Sequence, residues 1–345
     1  MSFIYFVIVL GITILIHELG HFIFAKKANI YVYEFSIGMG PKIFSYKRKN
    51  DETIYSIRLF PIGGFVSMAG EDNSNNDRVS DDRKLYNKTW MQRFLTIIAG
   101  VAFNFILAII LLFCVGMIAG VSNNKPIIYS VDSNYPISLT NVSKGDLITA
   151  INNKKISSTD MLLLELQINY GKTITIDFKR GDKSFQVDAK PVLTKSNGSE
   201  SYAYGFSLDN TKEYGFIAAF KYAFNKTISL IVQMFYILIY LITGKLSLNS
   251  LAGPVGMFSI VSTAASTGII NIIYLIAYLC INVGFINLIP FPAFDGGRVF
   301  FLMIEGIRKK KIKPEIENTI NTIGFVFLMT FMIFITFQDI IRIFK

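Results

Sequence analysis

The decisive stretch is Ile14-Leu-Ile-His17-Glu18-Leu19-Gly20-His21-Phe22, three ionisable side chains set inside an apolar run that extends from about Ser2 to Ala25. Ionisable groups at hydrocarbon depth are costly unless a site offsets the cost, so their presence there marks a site. On a helix, positions i and i+4 project from one face a turn apart, which lets His17 and His21 share one metal ion. They are the only two histidines in the chain. Chance placement four apart, with Glu directly after the first, has a probability on the order of 1 in 10,000, so the short motif is specific here. Zinc is the natural ion, since it takes neutral imidazole and needs no redox chemistry for hydrolysis. Glu18 is then no ligand but the general base, taking a proton from the attacking water and passing it to the leaving amine. The plainer alternative is a pair of buried histidines that knit helices together.

The rest of the chain agrees with a membrane setting. Of 345 residues, 52% are apolar and 17% charged, against roughly 25% charged in a soluble domain. Mean hydropathy is +0.46. The net charge of +10 comes from Lys and Arg gathered in the links between apolar runs, where membrane orientation explains them without a nucleic-acid partner. Cys114 and Cys280 sit inside apolar runs, where a disulfide framework has no role. The N-terminus lacks a basic region ahead of the first run and a small-residue cleavage site, and the run holds ionisable residues, so it reads as a retained span and not a signal peptide.

Four stretches are long and apolar enough to cross: about 2–25, 94–121, a third over 269–302 that is broken in its course, and about 320–340. Thr227 to Thr243 is marginal at about 17 residues and holds Gln233; segments of this length lie on, or dip into, the bilayer as readily as they cross it. Twelve Lys and Arg between Lys26 and Arg93 put the first link inside and the N-terminus outside. Arg308, Lys309, Lys310, Lys311 and Lys313 put the last link inside as well. Four crossings satisfy both links, so 209–268 is assigned to a surface or partially inserted helical region. Between the second and third spans, 122–208 alternates short apolar runs with turn residues, as in Lys172-Thr-Ile-Thr-Ile-Asp-Phe-Lys179, and reads as a small β-rich domain on the outer face. Tyr31 to Met68 reads as strands with Gly-rich turns at Gly38-Met-Gly-Pro41 and Pro61-Ile-Gly-Gly64, and Asp72 to Asp82 as a mobile loop.

A catalytic zinc takes three protein ligands and keeps a fourth position open, so two histidines are one ligand short. The acidic residue embedded in a later apolar segment is Asp295, in Asn287-Leu-Ile-Pro290-Phe-Pro292-Ala-Phe-Asp295-Gly-Gly-Arg298. Pro290 and Pro292 remove two helix donors and open the helix, and Gly296 and Gly297 permit close backbone approach. Irregular backbone at membrane depth is tolerated where it lines a cavity or is buried in protein. Asp295 and the histidines also lie near the same end of two spans that run in the same direction, so they can meet at one depth. The alternative for Asp295 is a helix-end carboxylate paired with Arg298 or the basic loop.

Taken together, His17-Glu-Leu-Gly-His21 and Asn287-x-x-Pro-x-Pro-x-Phe-Asp-Gly resemble the site-2 protease family of intramembrane zinc metalloproteases, closest to its bacterial regulator-of-sigma-E branch. Phe35-Ser-Ile-Gly-Met-Gly-Pro-Lys42, Pro61-Ile-Gly-Gly-Phe-Val66, Ala99-Gly100 with Asn104-Phe105, and Gly253-Pro-Val-Gly256 follow the family's blocks in the family's order. The resemblance implies a polytopic α-helical membrane protein: four transmembrane helices, a membrane-associated β region, and an extracytoplasmic PDZ-like α+β domain over 122–208. It divides the chain into 1–121, 122–208, 209–268 and 269–345. It implies one zinc held by His17, His21 and Asp295, with Glu18 catalytic. Asn287, Pro290, Pro292, Gly63 and Gly64 fall to substrate binding, although Asn287 would serve equally to cap broken backbone. Phe294 stands where the family has Leu, and Tyr135-Pro-Ile-Ser-Leu-Thr-Asn141 replaces the usual Ala-rich run of the outer domain, which tells against ordinary capture of a C-terminal carboxylate and leaves a size filter or spacer as an alternative role.

The implied activity is cleavage, inside a bacterial cell membrane, of single-span proteins such as anti-sigma factors or remnant signal peptides after a first external cut. A transmembrane helix hides its amides, so it must unwind, most simply by pairing as an added strand on an exposed edge within Tyr31 to Met68. Two other classes compete: a zinc transporter or sensor, which would need further ionisable residues along several spans, and an inactive PDZ-bearing adaptor, which would not need Glu18. The sequence leaves the oligomeric state open.

Overall fold

The computed structural model describes residues 2–71, 79–196 and 199–343. Helix α1, Ser2–Lys27, is the first apolar run, ending on Lys26 and Lys27. Strands β1 (Val32–Lys47) and β2 (Ile54–Met68) follow, then helix α2 (Trp90–Ala119). Next come β3 (Val121–Ser122), β4 (Ile128–Val131), β5 (Leu147–Ile151), β6 (Lys154–Lys155), helix α3 (Thr159–Ile168), β7 (Ile174–Arg180) and β8 (Lys183–Ala189). The chain continues through β9 (Val192–Ser196), β10 (Ser199–Ala203), β11 (Phe206–Leu208) and β12 (Lys212–Glu213). Helices α4 (Phe216–Ile242), α5 (Pro254–Thr267), α6 (Ile269–Leu288), α7 (Asp295–Arg308) and α8 (Pro314–Ile343) complete it. The loop expected at 72–82 lies over 72–78 outside the described residues, and its end, Asp81–Arg83, is a turn of 3₁₀ helix.

The chain forms two compact units, 1–111 with 248–345, and 112–247. The stretch expected as one surface region, 209–268, is therefore divided between them. Six helical stretches among the described residues are long and apolar enough to cross a bilayer, where four crossings were expected; the two added are Phe216–Ile242 and Leu248–Thr267. The sequence reading began the first of these at Thr227, because Lys226 and Lys245 flank the apolar run. The helix nevertheless continues back to Phe216, since Lys226 is ion-paired rather than lost to solvent.

In the first unit, β1 and β2 each bend at the expected glycines. Glu34 to Ile37 pair with Ser67 to Gly64 in opposed register; on their other side they pair with Ile54 to Ile57, residue numbers rising together, while Phe44 to Lys47 pair with Ile57 to Ile54. The segment 64–68 is thus an outer edge. Phe22 of α1 packs tilted against Phe35 and edge-on against Tyr55 of this sheet, at ring separations of 5.1 and 6.0 Å. The start of α2 is bolted to α7 by a buried Arg93–Glu305 ion pair of 2.5 Å and by Trp90 Nε1 donating to Leu302 O at 2.8 Å. Asp339 of α8 accepts from the Gly256 amide of α5 at 2.8 Å.

In the second unit, β6-β5-β7-β8 form an antiparallel sheet whose Ile148, Ile151, Ile176 and Phe178 pack on Met161 and Leu162 of α3. Ser158 caps α3 by accepting from the Met161 amide at 3.2 Å. Helix α4 lies along α3: Lys226 pairs with Asp160 at 2.5 Å, Ser229 donates to the same carboxylate at 2.6 Å, and Tyr240 donates to Glu165.

Candidate active site

Helical spacing sets His17 and His21 on one face of α1, with their Nε2 atoms 3.2 Å apart. The break between α6 and α7 carries the chain back so that Asp295 opens α7 with Oδ2 at 3.1 Å from His17 Nε2 and 3.3 Å from His21 Nε2. All three ligand atoms lie within 4.8 Å of one another. Arg298, the partner that the sequence offered Asp295, pairs with Glu71 instead. The alternative of a carboxylate tied to Arg298 is thereby removed.

The far side of each imidazole fixes which nitrogen faces inward. His21 Nδ1 stands 2.9 Å from the Thr96 carbonyl, which can only accept, so Nδ1 carries the hydrogen and Nε2 offers a lone pair. The Asn104 side-chain amide stands 3.3 Å from His17 Nδ1. With its oxygen toward the ring it accepts in the same way, and that buried oxygen, otherwise without a partner among the described residues, is satisfied. Two lone pairs and a carboxylate oxygen then face one point. Oδ2 of Asp295 is buried there with no hydrogen-bond donor among the described residues. Such convergence is repulsive without a cation, and two imidazole nitrogens with one carboxylate oxygen are a donor set that suits tetrahedral zinc with one open position. Helix α2 makes room: a Cβ at Gly100 would fall 2.9 Å from His17 Cε1.

Glu18 and the three ligand residues line a cavity of about 360 Å³ with Gly63, Gly64, Phe65, Val66, Met68, Asn287 and Arg298. At Gly64 a Cβ would stand 2.8 Å from Ser36 O and 3.6 Å from Glu18 Cγ, so the sheet edge passes directly beside the glutamate. Asn287, Gly63 and Gly64 therefore lie where substrate binding was expected. Pro290 and Pro292, expected in substrate binding, do not line this cavity. Lacking N–H groups, they hold the chain open between Leu288 and Asp295, and Pro292 packs beneath Gly324 of α8. Ala293, in the left-handed region at φ 76°, completes that break. Sequence reasoning missed roles for Thr96, Gly100, Asn104, Glu71 and Arg298. Asn104, an amide in the middle of an apolar run, was detectable by residue type.

Residues 5–331 match peptidase family M50. A Clostridium perfringens protein is 37% identical over 342 residues, 99% of both chains. The regulator of sigma-W protease RasP of Bacillus subtilis is 32% identical across 98% of both chains, and the zinc metalloprotease RasP of Shouchella clausii is 32% identical across 99% of both. A solved PDZ domain, from the SdrC-like protein of Listeria monocytogenes, is 27% identical and covers 26% of this chain and 90% of its own, with a TM-score of 0.22. The chain belongs to peptidase family M50, the site-2 proteases. It is a metalloendopeptidase, and its apolar helices make it a membrane protein.

Proposed function

We propose that His17, His21 and Asp295 hold one zinc ion and that Glu18 is the general base of an endopeptidase cutting transmembrane segments of single-span proteins. The convergence of the three ligand atoms beside Glu18, in one cavity, carries this reading. Zinc, when bound, supplies Lewis acidity that activates water and polarises the scissile carbonyl. Glu18 takes the proton from the attacking water and delivers it to the leaving nitrogen. Thr96 and Asn104 keep each Nδ1 engaged, so that both Nε2 atoms stay turned to the ion.

The substrate unwinds and adds as a strand to the edge at 64–68, which no other strand among the described residues covers on its outer side and which runs past Glu18. Small or helix-weakening residues in the substrate aid cleavage by lowering the unwinding cost. Met39, Ile43, Phe44 and Phe60, each more than half exposed, support a sheet that dips into the bilayer boundary. Helices α1, α2, α6 with α7, and α8 cross, with both termini and a PDZ-type domain outside and the metal centre near the cytoplasmic side. Helix α4 rests on the outer surface: Lys226, Ser229 and Tyr240 face α3, while Phe216, Phe220, Ile228 and Phe235 are exposed and suit contact with lipid. Clients are anti-sigma-type proteins or signal-peptide remnants already shortened outside.

Purified Glu18→Gln tests the chemistry. Retained zinc with cleavage of a single-span substrate reduced by about 100-fold or more supports the assignment; unimpaired cleavage overturns it.

A further inference from the structure

Arg298 stands one helical turn beyond Asp295 on α7, in the wall of the cavity that holds Glu18. Its guanidinium is paired with Glu71. The backbone that presents Glu71 is fixed. The Ala69 amide donates to Tyr31 O at 2.9 Å, the Ala69 carbonyl accepts from Leu85 N at 2.7 Å, and Glu71 N donates to Met68 O at 3.3 Å. Helix α7 is fixed separately by its Arg93–Glu305 pair with α2. The Glu71–Arg298 pair thus joins two anchored bodies, the sheet edge beside Glu18 and the helix that opens with Asp295.

We propose that Glu71 and Arg298 form a positioning clamp that sets the register between the sheet edge and the metal centre, and with it the bond that is cut. The inference rests on the edge-strand reading given above. A strand advances roughly 3.3 Å per residue, so a slip of that size presents a neighbouring amide to Glu18. Arginine suits the task because its planar fork fixes direction as well as distance, which a lysine ammonium does not. A pair that merely offset the burial of Arg298 would affect stability without moving the cut.

The test uses the full chain in detergent with a single-span peptide substrate, scoring cleavage positions by mass spectrometry in Glu71→Gln, Arg298→Gln and the double reversal E71R/R298E. The clamp predicts zinc content as in the parent, kcat/KM lowered by about 100-fold in either single variant, and cuts spread over adjacent bonds. In the double reversal, kcat/KM recovers by about tenfold or more and a single cut returns. Cleavage at the parental bond alone in both single variants overturns the clamp, whether or not the rate falls, as does loss of zinc from Glu71→Gln. Should Arg298→Gln fail to fold, Glu71→Gln alone decides. A substrate N-methylated at the amides flanking the cut addresses the edge itself: if the parent enzyme cleaves it unimpaired, the edge reading fails, a failure visible without any variant.

Discussion

Gly100 of α2 lies so close to the His21 imidazole of α1 that a Cβ at position 100 would stand 2.7 Å from Cε1. Two helices meet here through a residue without a side chain, and the space goes to the rings. Gly100→Ala should displace the imidazoles and weaken zinc binding by about 10- to 100-fold, comparable to the loss of an outer-shell partner. Competition titration against a chromogenic chelator measures it, with circular dichroism expected to show unchanged helix content.

Metal loss should separate the ligands from the base. His17→Ala, His21→Ala and Asp295→Asn each remove a donor and should purify with little zinc and no cleavage, whereas chelation of the parent should be reversed by added zinc. Elemental analysis of the purified variants is the check. A full zinc complement in Asp295→Asn would remove Asp295 from the ligand set.

Asn104→Ala should also act through the metal. It strips the side-chain amide from His17 Nδ1 and should cost about 10- to 100-fold in zinc affinity, while Asn104→Asp, which presents an acceptor there, should cost less. The same titration ranks the two.

Acid should loosen the β-rich unit at one identifiable place. Asp146, fully buried, accepts from Arg180 Nε at 2.6 Å and Nη2 at 2.7 Å, and this pair holds its carboxyl below the usual carboxylate range. A carboxyl whose folded value is depressed stabilises fully above its unfolded value, about 3.9, and that stability is lost as pH falls through the folded value. Calorimetry of the full chain should show the transition of this unit falling as pH drops below about 4. Asp146→Asn should lower it at neutral pH and flatten the acid dependence.

Lys226→Ala should release α4 from α3. It leaves Asp160, 10% exposed in its side chain, without its cation, and breaking a buried pair from one side costs about 3–5 kcal/mol. Thermal unfolding of the full chain and faster hydrogen exchange in α3 read this out. Adding Asp160→Asn should recover part of the loss.

Much of this site was legible along the chain because its chemistry is local. His17, Glu18 and His21 need only helical spacing to share a face. Asp295 was conspicuous as a carboxylate in an apolar segment broken by Pro290 and Pro292. The bends of the β region followed from Gly38, Gly40, Gly63 and Gly64, three of which take positive φ. Helix α4 was underestimated because Lys226 read as a flank of the apolar run, and no local rule shows that Lys226 faces a buried carboxylate from α3.

By itself the sequence determined the membrane class and singled out the residues proposed here as metal-binding pair, base and third ligand, since each depends on residue type, helical period or the cost of charge in hydrocarbon. Only the tertiary structure decided that Arg298 serves Glu71 and not Asp295, that Thr96 and Asn104 fix the imidazoles, and that Gly100 makes space for them. Those facts depend on which surfaces meet. Packing between segments distant along the chain is set by the sum of many weak contacts, which no short window of sequence contains.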